Sequence, residues 1–169
     1  ARAQKPDISH IPRRFWAGEE DPASEEKEQL PEAFINTFYY LHGLQEMMQI
    51  SEKMNNKLPI QFVEREKNVK NAFLDAYFDP ETGDFCEGRA AGNAYGLALG
   101  LGDERTKKHL VEKYEALERF DTGIFGTSML LEQLFSIGAG DLAVRLLTND
   151  SEAASFAHMK RKGATTLWE

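Results

Sequence analysis

The sequence of 169 residues has a single cysteine, Cys86, and no hydrophobic run long enough to cross a membrane. One cysteine excludes an intrachain disulfide and a cluster of thiolate metal ligands. No signal-peptide pattern is present, and the chain starts at Ala1 rather than Met, as a processed, recombinant or partial chain does. A zinc site is also not indicated, because no ligand spacing occurs among the four histidines, which are His10, His42, His109 and His158.

Basic residues are scarce as well. The sequence has 20 lysines and arginines against 28 aspartates and glutamates, which gives a net charge of −8 and a pI near 5.1. This excess of acid argues against a general binder of nucleic acid or of an anionic membrane surface. No Gly-Lys-Ser/Thr triplet occurs, so a phosphate-binding loop is excluded. The 41% hydrophobic and 28% charged residues are typical of one globular domain.

Two other features carry only weak chemical signals. Cys86 follows a turn, but no histidine lies near it in the sequence, so a thiol nucleophile has little support. Four acidic residues around the same turn either bind a calcium ion or form a solvated turn, and they are Asp79, Glu81, Asp84 and Glu87. We predict no cofactor and no metal ion.

The first 30 residues differ from the rest in composition. They are polar and are interrupted by three prolines, and we predict an extended connection over residues 1–30. Phe15 and Trp16 are expected to anchor this connection to the body of the protein. Residues 31–169 carry helical periodicity and are predicted to form the folded domain.

Apolar and charged helices alternate along this domain. The first predicted helix spans about residues 32–55, and the second lies between the turn at residues 55–59 and the turn that begins at Asp79. The next three span about residues 89–101, 104–119 and 128–137, and the last is capped by Asp141 and runs through residue 148. No strand pattern is evident. A helix that is apolar all round is buried, whereas an amphipathic helix covers a surface. The order therefore predicts three antiparallel hairpins of one inner and one outer helix.

The third helix of this series is rich in small residues. Gly92, Gly96 and Gly100 recur in it, and each glycine costs about 1 kcal/mol relative to alanine inside a helix. Close approach of a neighbouring helix is the usual compensation, which places this helix in a crowded inner layer. Asn93 is its one strongly polar side chain, and it is either a satisfied core amide or a residue of a pocket.

The last seven residues, Gly163–Glu169, combine small residues, two hydroxyls, a tryptophan and a carboxylate. The face of Trp168 can stack on the C–H face of a sugar, and Glu169 beside it can transfer a proton. The alternative is that Trp168 is a core anchor and Glu169 a solvated residue.

This segment resembles the Gly-Ala-Thr-Thr-(Ile/Leu)-Trp-Glu signature of bacterial α-L-rhamnosidases, which are six-hairpin (α/α)6-barrel glycoside hydrolases. Matching stretches occur upstream in the same order, and together they cover roughly residues 33–169. They are Asn36–Tyr40, Asn93–Gly100, Asp121–Thr127 with Leu130–Glu132, Asp141–Leu147 and Ser155–Met159. The sequence departs from the family at Ala90 and Ala91, where a Gln-Thr pair is usual, so a substrate contact from that turn is in doubt.

The resemblance implies an all-α fold of antiparallel helical hairpins that form about half of an (α/α)6 toroid. It also implies a C-terminal part of a larger catalytic domain that cleaves terminal α-L-rhamnose with inversion. Glu169 would be the general base, opposite an acid carried by a motif upstream of the matched region. The expected substrate-binding residues, which converge at one rim of the helical layer, are Trp168, Phe125, Thr122, Gly123 and Asn93.

A non-catalytic helical module that binds a carbohydrate or a protein is the alternative function. The partner that we expect is a carbohydrate of the rhamnoside class, and we expect neither nucleic acid nor a membrane as a partner. We expect no hydrolysis by the isolated chain, which lacks the acid. A half ring would also expose inner faces and favour self-association through Phe34, Phe38, Met129 and Leu130.

Overall fold

A computed structural model describes residues 29–150 and 155–166. These residues form seven α-helices and one hairpin of two short strands. The helices are α1 (Glu32–Lys53), α2 (Ile60–Tyr77), α3 (Gly92–Ala98), α4 (Glu104–Leu117), α5 (Ile124–Ser136), α6 (Gly140–Thr148) and α7 (Phe156–Arg161). The strands are β1 (Phe78–Asp79) and β2 (Asp84–Phe85). None of the described helices is both long and apolar enough to cross a membrane.

The first six helices form the three hairpins that the sequence predicts. Within each hairpin, α1 packs on α2, α3 on α4, and α5 on α6. Between hairpins, α3 packs on α5 and α4 on α6, so the two members of each hairpin belong to two separate layers. The short connections make the members of each hairpin antiparallel. The predicted all-α architecture is confirmed.

The hydrophobic core lies where the inner helices meet. The ring of Phe38 on α1 packs edge-on against Tyr95 on α3, with centroids 4.7 Å apart. Phe34 lies between Tyr95 and Phe73 of α2, at centroid distances of 5.9 and 5.0 Å. Leu130 extends this core into α5.

The expected exposure of the inner faces is wrong for most of the named residues. Phe34, Phe38 and Leu130 are 0% exposed, because partners within the same chain already cover them. Met129 is half-buried and packs against the same core. These four side chains therefore offer little surface for self-association.

Several helix ends differ from the predicted ones for local backbone reasons. Helix α3 begins at Gly92 rather than Arg89, because a 3₁₀ turn (Cys86–Gly88) and left-handed backbone at Ala90 (φ 38°) come before it. Helix α4 ends at Leu117, where Glu118 is left-handed (φ 52°). Helix α5 begins four residues early, at Ile124. Asp141 lies in the first turn of α6 and does not cap it, since Ala139 occupies the cap position.

The hairpin of β1 and β2 was not expected. Phe78 pairs with Phe85, and Asp79 pairs with Asp84, across the acidic turn. Its strands of two residues are too short to show alternation in the sequence. The hairpin nevertheless supplies the neighbour that the glycines of α3 require: a Cβ on Gly96 would lie 2.2 Å from the Phe85 ring. The close neighbour of Gly96 is therefore the Phe85 ring, whereas the sequence analysis expected a neighbouring helix.

The end of the chain returns to the third hairpin. Helix α7 packs on α6, and its Met159 is buried. The Phe156 ring lies edge-on to Phe120, just after α4, with centroids 5.7 Å apart. Of the predicted connection over residues 1–30, only 29 and 30 are described, so Phe15 and Trp16 lie outside the described residues.

Candidate active site

The four predicted site residues that the structure describes lie where the two inner helices α3 and α5 begin; they are Asn93, Thr122, Gly123 and Phe125. Two segments precede these helices, and we name them by their residues: the 86–91 turn before α3, and the 121–123 loop before α5. Lys113 of α4 connects them. Its Nζ donates to the carbonyls of Gly88 (3.0 Å) and Ala90 (2.7 Å) and pairs with Asp121 Oδ2 at 2.8 Å. The two segments are therefore neighbours at one end of the helical layers.

Asn93 lies in the first turn of α3 and is only 5% exposed. Its Oδ1 accepts a hydrogen bond from the Phe85 amide at 2.7 Å, and its Nδ2 donates to Asp84 Oδ1 at the same distance. Asp84 Oδ1 also lies 2.9 Å from His109 Nδ1 on α4. The Asn93 amide thus has partners on both of its polar atoms, and it joins the hairpin to α3.

The acidic turn is organised by its own backbone. Asp79 accepts hydrogen bonds from the Glu81 amide (2.8 Å) and the Thr82 hydroxyl (3.1 Å). The hydrogen bond from the Glu81 backbone amide is the main cause that lowers the pKa of Asp79. Among the described residues, no three histidine, cysteine, aspartate or glutamate side chains are grouped as a metal site would need.

Thr122 and Thr127 close the loop before α5. Their Oγ1 atoms lie 2.8 Å apart, and both side chains are buried. A Cβ on Gly126 would approach the Thr122 Cβ to 2.9 Å, so this turn is tightly packed. The Thr122 hydroxyl consequently faces a partner in its own chain.

Gly123 and Phe125 are the accessible part of this rim. Gly123 is exposed, caps α5, and has open space around the position of a Cβ. Phe125 is 72% exposed, which is unusual for so large an apolar side chain. The two residues lie two positions apart at the start of α5 and leave an open backbone and an aromatic surface accessible.

Comparison with known proteins assigns the chain to a family. Residues 11–169 match the family model of the bacterial α-L-rhamnosidase six-hairpin glycosidase domain. The chain belongs to this family. An α-L-rhamnosidase of Formosa agariphila is 31% identical over 145 residues, which are 81% of this chain and 15% of that protein.

The fold comparison agrees with the family. The crystal structure of the Streptomyces avermitilis α-L-rhamnosidase complexed with L-rhamnose matches with a TM-score of 0.74 and 24% identity. The match covers 83% of this chain and 14% of that one. The three hairpins are therefore about half of the rhamnosidase helical toroid, and the chain spans only a small part of its relatives' length.

The last three residues of the rhamnosidase signature lie outside the described residues, and they include Trp168 and Glu169. The described residues of this segment end at Thr166, five residues after α7, whose Phe156 contacts Phe120 immediately before the 121–123 loop. This contact places the start of α7, which leads towards the terminal segment, beside the residue that precedes the predicted rim. Convergence of Trp168 and Glu169 with Thr122, Gly123 and Phe125 stays a prediction.

Sequence reasoning did not single out three residues that support this rim, namely Lys113, Tyr114 and Asp121, although Asp121 begins one of the matched stretches. The Tyr114 hydroxyl donates to Asp121 Oδ1 at 2.5 Å, and the ring is 0% exposed. Burial, followed by the charge of Asp121, raises the pKa of Tyr114 well above its usual value, so the phenol remains the donor. A signal was present: Lys113 lies at helical spacing from Leu110 and Leu117, a charge within the apolar stripe of α4.

The 86–91 turn has a strained backbone. Three residues other than glycine adopt positive φ there: Cys86 (49°), Glu87 (60°) and Ala90 (38°). Burial raises the pKa of the Cys86 thiol to about 11, so the thiol is protonated at neutral pH and is a poor nucleophile. Strained segments of this kind are concentrated at functional sites.

A separate groove of about 970 Å³ lies at the other end of the layers. It is formed by the C-terminal ends of α1 and α3 and by the connection between α1 and α2. Gln45 crosses it, donating to the Leu99 carbonyl at 3.2 Å. Of the predicted site residues that the structure describes, none lines this groove.

Proposed function

We propose that this chain carries the general-base half of an inverting α-L-rhamnosidase site, with Glu169 as the base. The observation that carries the proposal is the terminal signature of the family, attached to a helix whose Phe156 packs beside the 121–123 loop. The likeness to a rhamnosidase complexed with L-rhamnose supports terminal α-L-rhamnose as the substrate.

The rim would bind the sugar through complementary surfaces. Phe125 and Trp168 would face the C–H surface of the pyranose, because aromatic rings bury such surfaces well. The open backbone at Gly123 would allow close approach of a sugar hydroxyl. Thr122 and Asn93 would act mainly by fixing the rim, since their polar atoms already have partners within the chain.

Inversion needs two carboxyl groups on opposite faces of the sugar. Glu169 would take a proton from a water molecule as the water attacks the anomeric carbon, while an acid protonates the leaving oxygen. In inverting enzymes these carboxyl groups are roughly 6.5–9.5 Å apart, which leaves room for the water. The acid is expected from the part of the longer relatives that this chain does not span.

The decisive variant is Glu169→Gln in the complete enzyme that carries this chain. We expect kcat on an aryl α-L-rhamnoside to fall by about 100-fold or more, with little change in KM, because the amide keeps the shape but cannot accept the proton. Added azide should restore part of the rate by replacing the activated water. Glu112→Gln, on the exposed side of α4, is the matched control. Turnover near the parental rate would exclude Glu169 as the base.

The stereochemistry is a separate test. Proton NMR of the first turnovers should show β-L-rhamnose before mutarotation, as an inverting enzyme acting on an α-linkage produces. Initial release of the α-anomer would refute inversion while leaving the substrate assignment intact. Rhamnose binding without any turnover by the complete protein would instead favour a non-catalytic carbohydrate-binding module.

A further inference from the structure

Lys113 is the one described side chain that bonds to both segments in front of the inner helices. Its Nζ lies within 3.0 Å of two carbonyl oxygens of the 86–91 turn and 2.8 Å from the Asp121 carboxylate. Its side chain is 29% exposed and that of Asp121 is 10% exposed. An ammonium group has three donors, and here three acceptors surround it.

The 86–91 turn, on one side of the Lys113 ammonium group, has backbone conformations that its residues do not normally favour. Cys86, Glu87 and Ala90 have positive φ, which costs free energy in residues other than glycine and persists only under restraint from the surroundings. Two of the carbonyls in this turn, at Gly88 and Ala90, accept from Lys113. Lys113 therefore supplies part of that restraint.

Asp121, on the other side, is held through both carboxylate oxygens. Oδ2 pairs with Lys113, and Oδ1 accepts the Tyr114 hydroxyl at 2.5 Å. The chain leads directly from Asp121 to Thr122, Gly123 and the exposed Phe125. Lys113 and Tyr114, two consecutive residues of α4, thus both hold the Asp121 carboxylate at the start of this rim.

We propose that Lys113 is a positioning residue of the rhamnoside site, which fixes the 121–123 loop relative to the 86–91 turn so that the sugar finds a preformed rim. The inference rests on the proposed function. Lys113 would not touch the substrate; it would act through Asp121 and the two carbonyls. A residue that only stabilises the fold would change thermal stability and leave the affinity of the folded enzyme unaltered.

The test compares Lys113→Met with the parent in the complete enzyme, by steady-state kinetics on an aryl α-L-rhamnoside well below the melting temperature. Methionine keeps most of the chain volume and removes the charge and the donors. We expect KM to rise by about 10- to 100-fold, since a rim that is no longer preformed must be ordered when the sugar binds, and kcat to stay within about threefold. Lys108→Met, at an exposed lysine of the same helix, should behave as the parent.

Further variants keep the proposal falsifiable. Tyr114→Phe removes only the other donor to Asp121 and should raise KM by a smaller factor, while Lys113→Arg should fall between Met and the parent. The proposal would be overturned if KM were unchanged in Tyr114→Phe and in either folded Lys113 variant while the melting temperature fell. That result would show that these side chains only stabilise the fold. Failure of the proposed function is recognised separately, because it shows as an unaltered kcat in Glu169→Gln.

Discussion

The Asn93 amide donates to Asp84 Oδ1 at 2.7 Å and at the same time accepts from the Phe85 backbone. One side chain at the start of α3 therefore satisfies both a buried backbone amide and a carboxylate of the hairpin. A third group, His109 Nδ1, reaches the same Asp84 oxygen from α4. The hairpin, α3 and α4 consequently meet in one polar network at the base of the rim.

The first prediction concerns this network. Asn93→Ala leaves the Phe85 amide without its acceptor in a buried place, and we expect a loss of about 1–3 kcal/mol in the free energy of unfolding. Urea denaturation measures it. Asn36→Ala, on the exposed side of α1, is the control and should change stability by less than about 0.5 kcal/mol. Equal stability of the two variants would refute the structural role of Asn93.

A pair of glycine substitutions tests the packing of α3. A Cβ on Gly96 would lie 2.2 Å from the Phe85 ring, so Gly96→Ala should destabilise the protein by about 1–3 kcal/mol through overpacking. Gly43, in the middle of α1, has no atom within 4 Å of the Cβ position, so Gly43→Ala should stabilise it by about 0.4–1 kcal/mol. Thermal unfolding of both variants is the measurement, and shifts of the same sign would contradict this account.

The helices were predictable because each combines periodicity with clear end signals. Helix α2 follows a proline and ends at a turn, and it begins at Ile60 as expected. The prediction failed where tertiary contacts override local preference. Arg89 and Ala90 are acceptable helix residues, yet the left-handed backbone at Ala90 excludes them from α3.

The candidate site was less predictable than the fold, because its supporting contacts join residues far apart in the chain. Lys113 bonds to carbonyls 23 and 25 residues upstream, and backbone acceptors leave no mark in the sequence. Phe125 was found because its motif resembles that of the family, and its exposure could not be inferred from periodicity. The inner faces of Phe34 and Phe38 were expected to be open because the packing of Tyr95 between hairpins was not foreseen.

The pH dependence of stability should contain a contribution from Asp103. It caps α4 by accepting from the amides of Arg105 (2.7 Å) and Thr106 (3.2 Å). The side-chain hydrogen bond from Arg105, above all, lowers the pKa of Asp103 below its ordinary 3.8. A lowered pKa means that this stabilisation is present above about pH 4 and is lost as the pH falls through the folded value.

Asp103→Asn tests this contribution, because asparagine also caps a helix but does not titrate. Its melting temperature should fall less steeply than that of the parent on acidification below about pH 4. Glu104→Gln, at the next position, should follow the parent, since Glu104 is exposed and its ion-pair partner among the described residues is the half-exposed Lys107. An equally steep fall of the melting temperature on acidification in Asp103→Asn and the parent would show that Asp103 does not contribute to this pH dependence.

The rim itself is tested by two phenylalanines of α5. Phe125, at its start, is 72% exposed, and Phe135, near its end, is 54% exposed, so either can be truncated with little effect on the core. If Phe125 forms a wall of the rhamnoside site, Phe125→Ala in the complete enzyme should raise KM by about two- to tenfold, because an aromatic contact of about 0.5–1.5 kcal/mol is lost. Phe135→Ala lies a helix length away and should leave KM unchanged. A rise of equal size in both variants would show a general effect on the helix, and no rise in Phe125→Ala would remove Phe125 from the site.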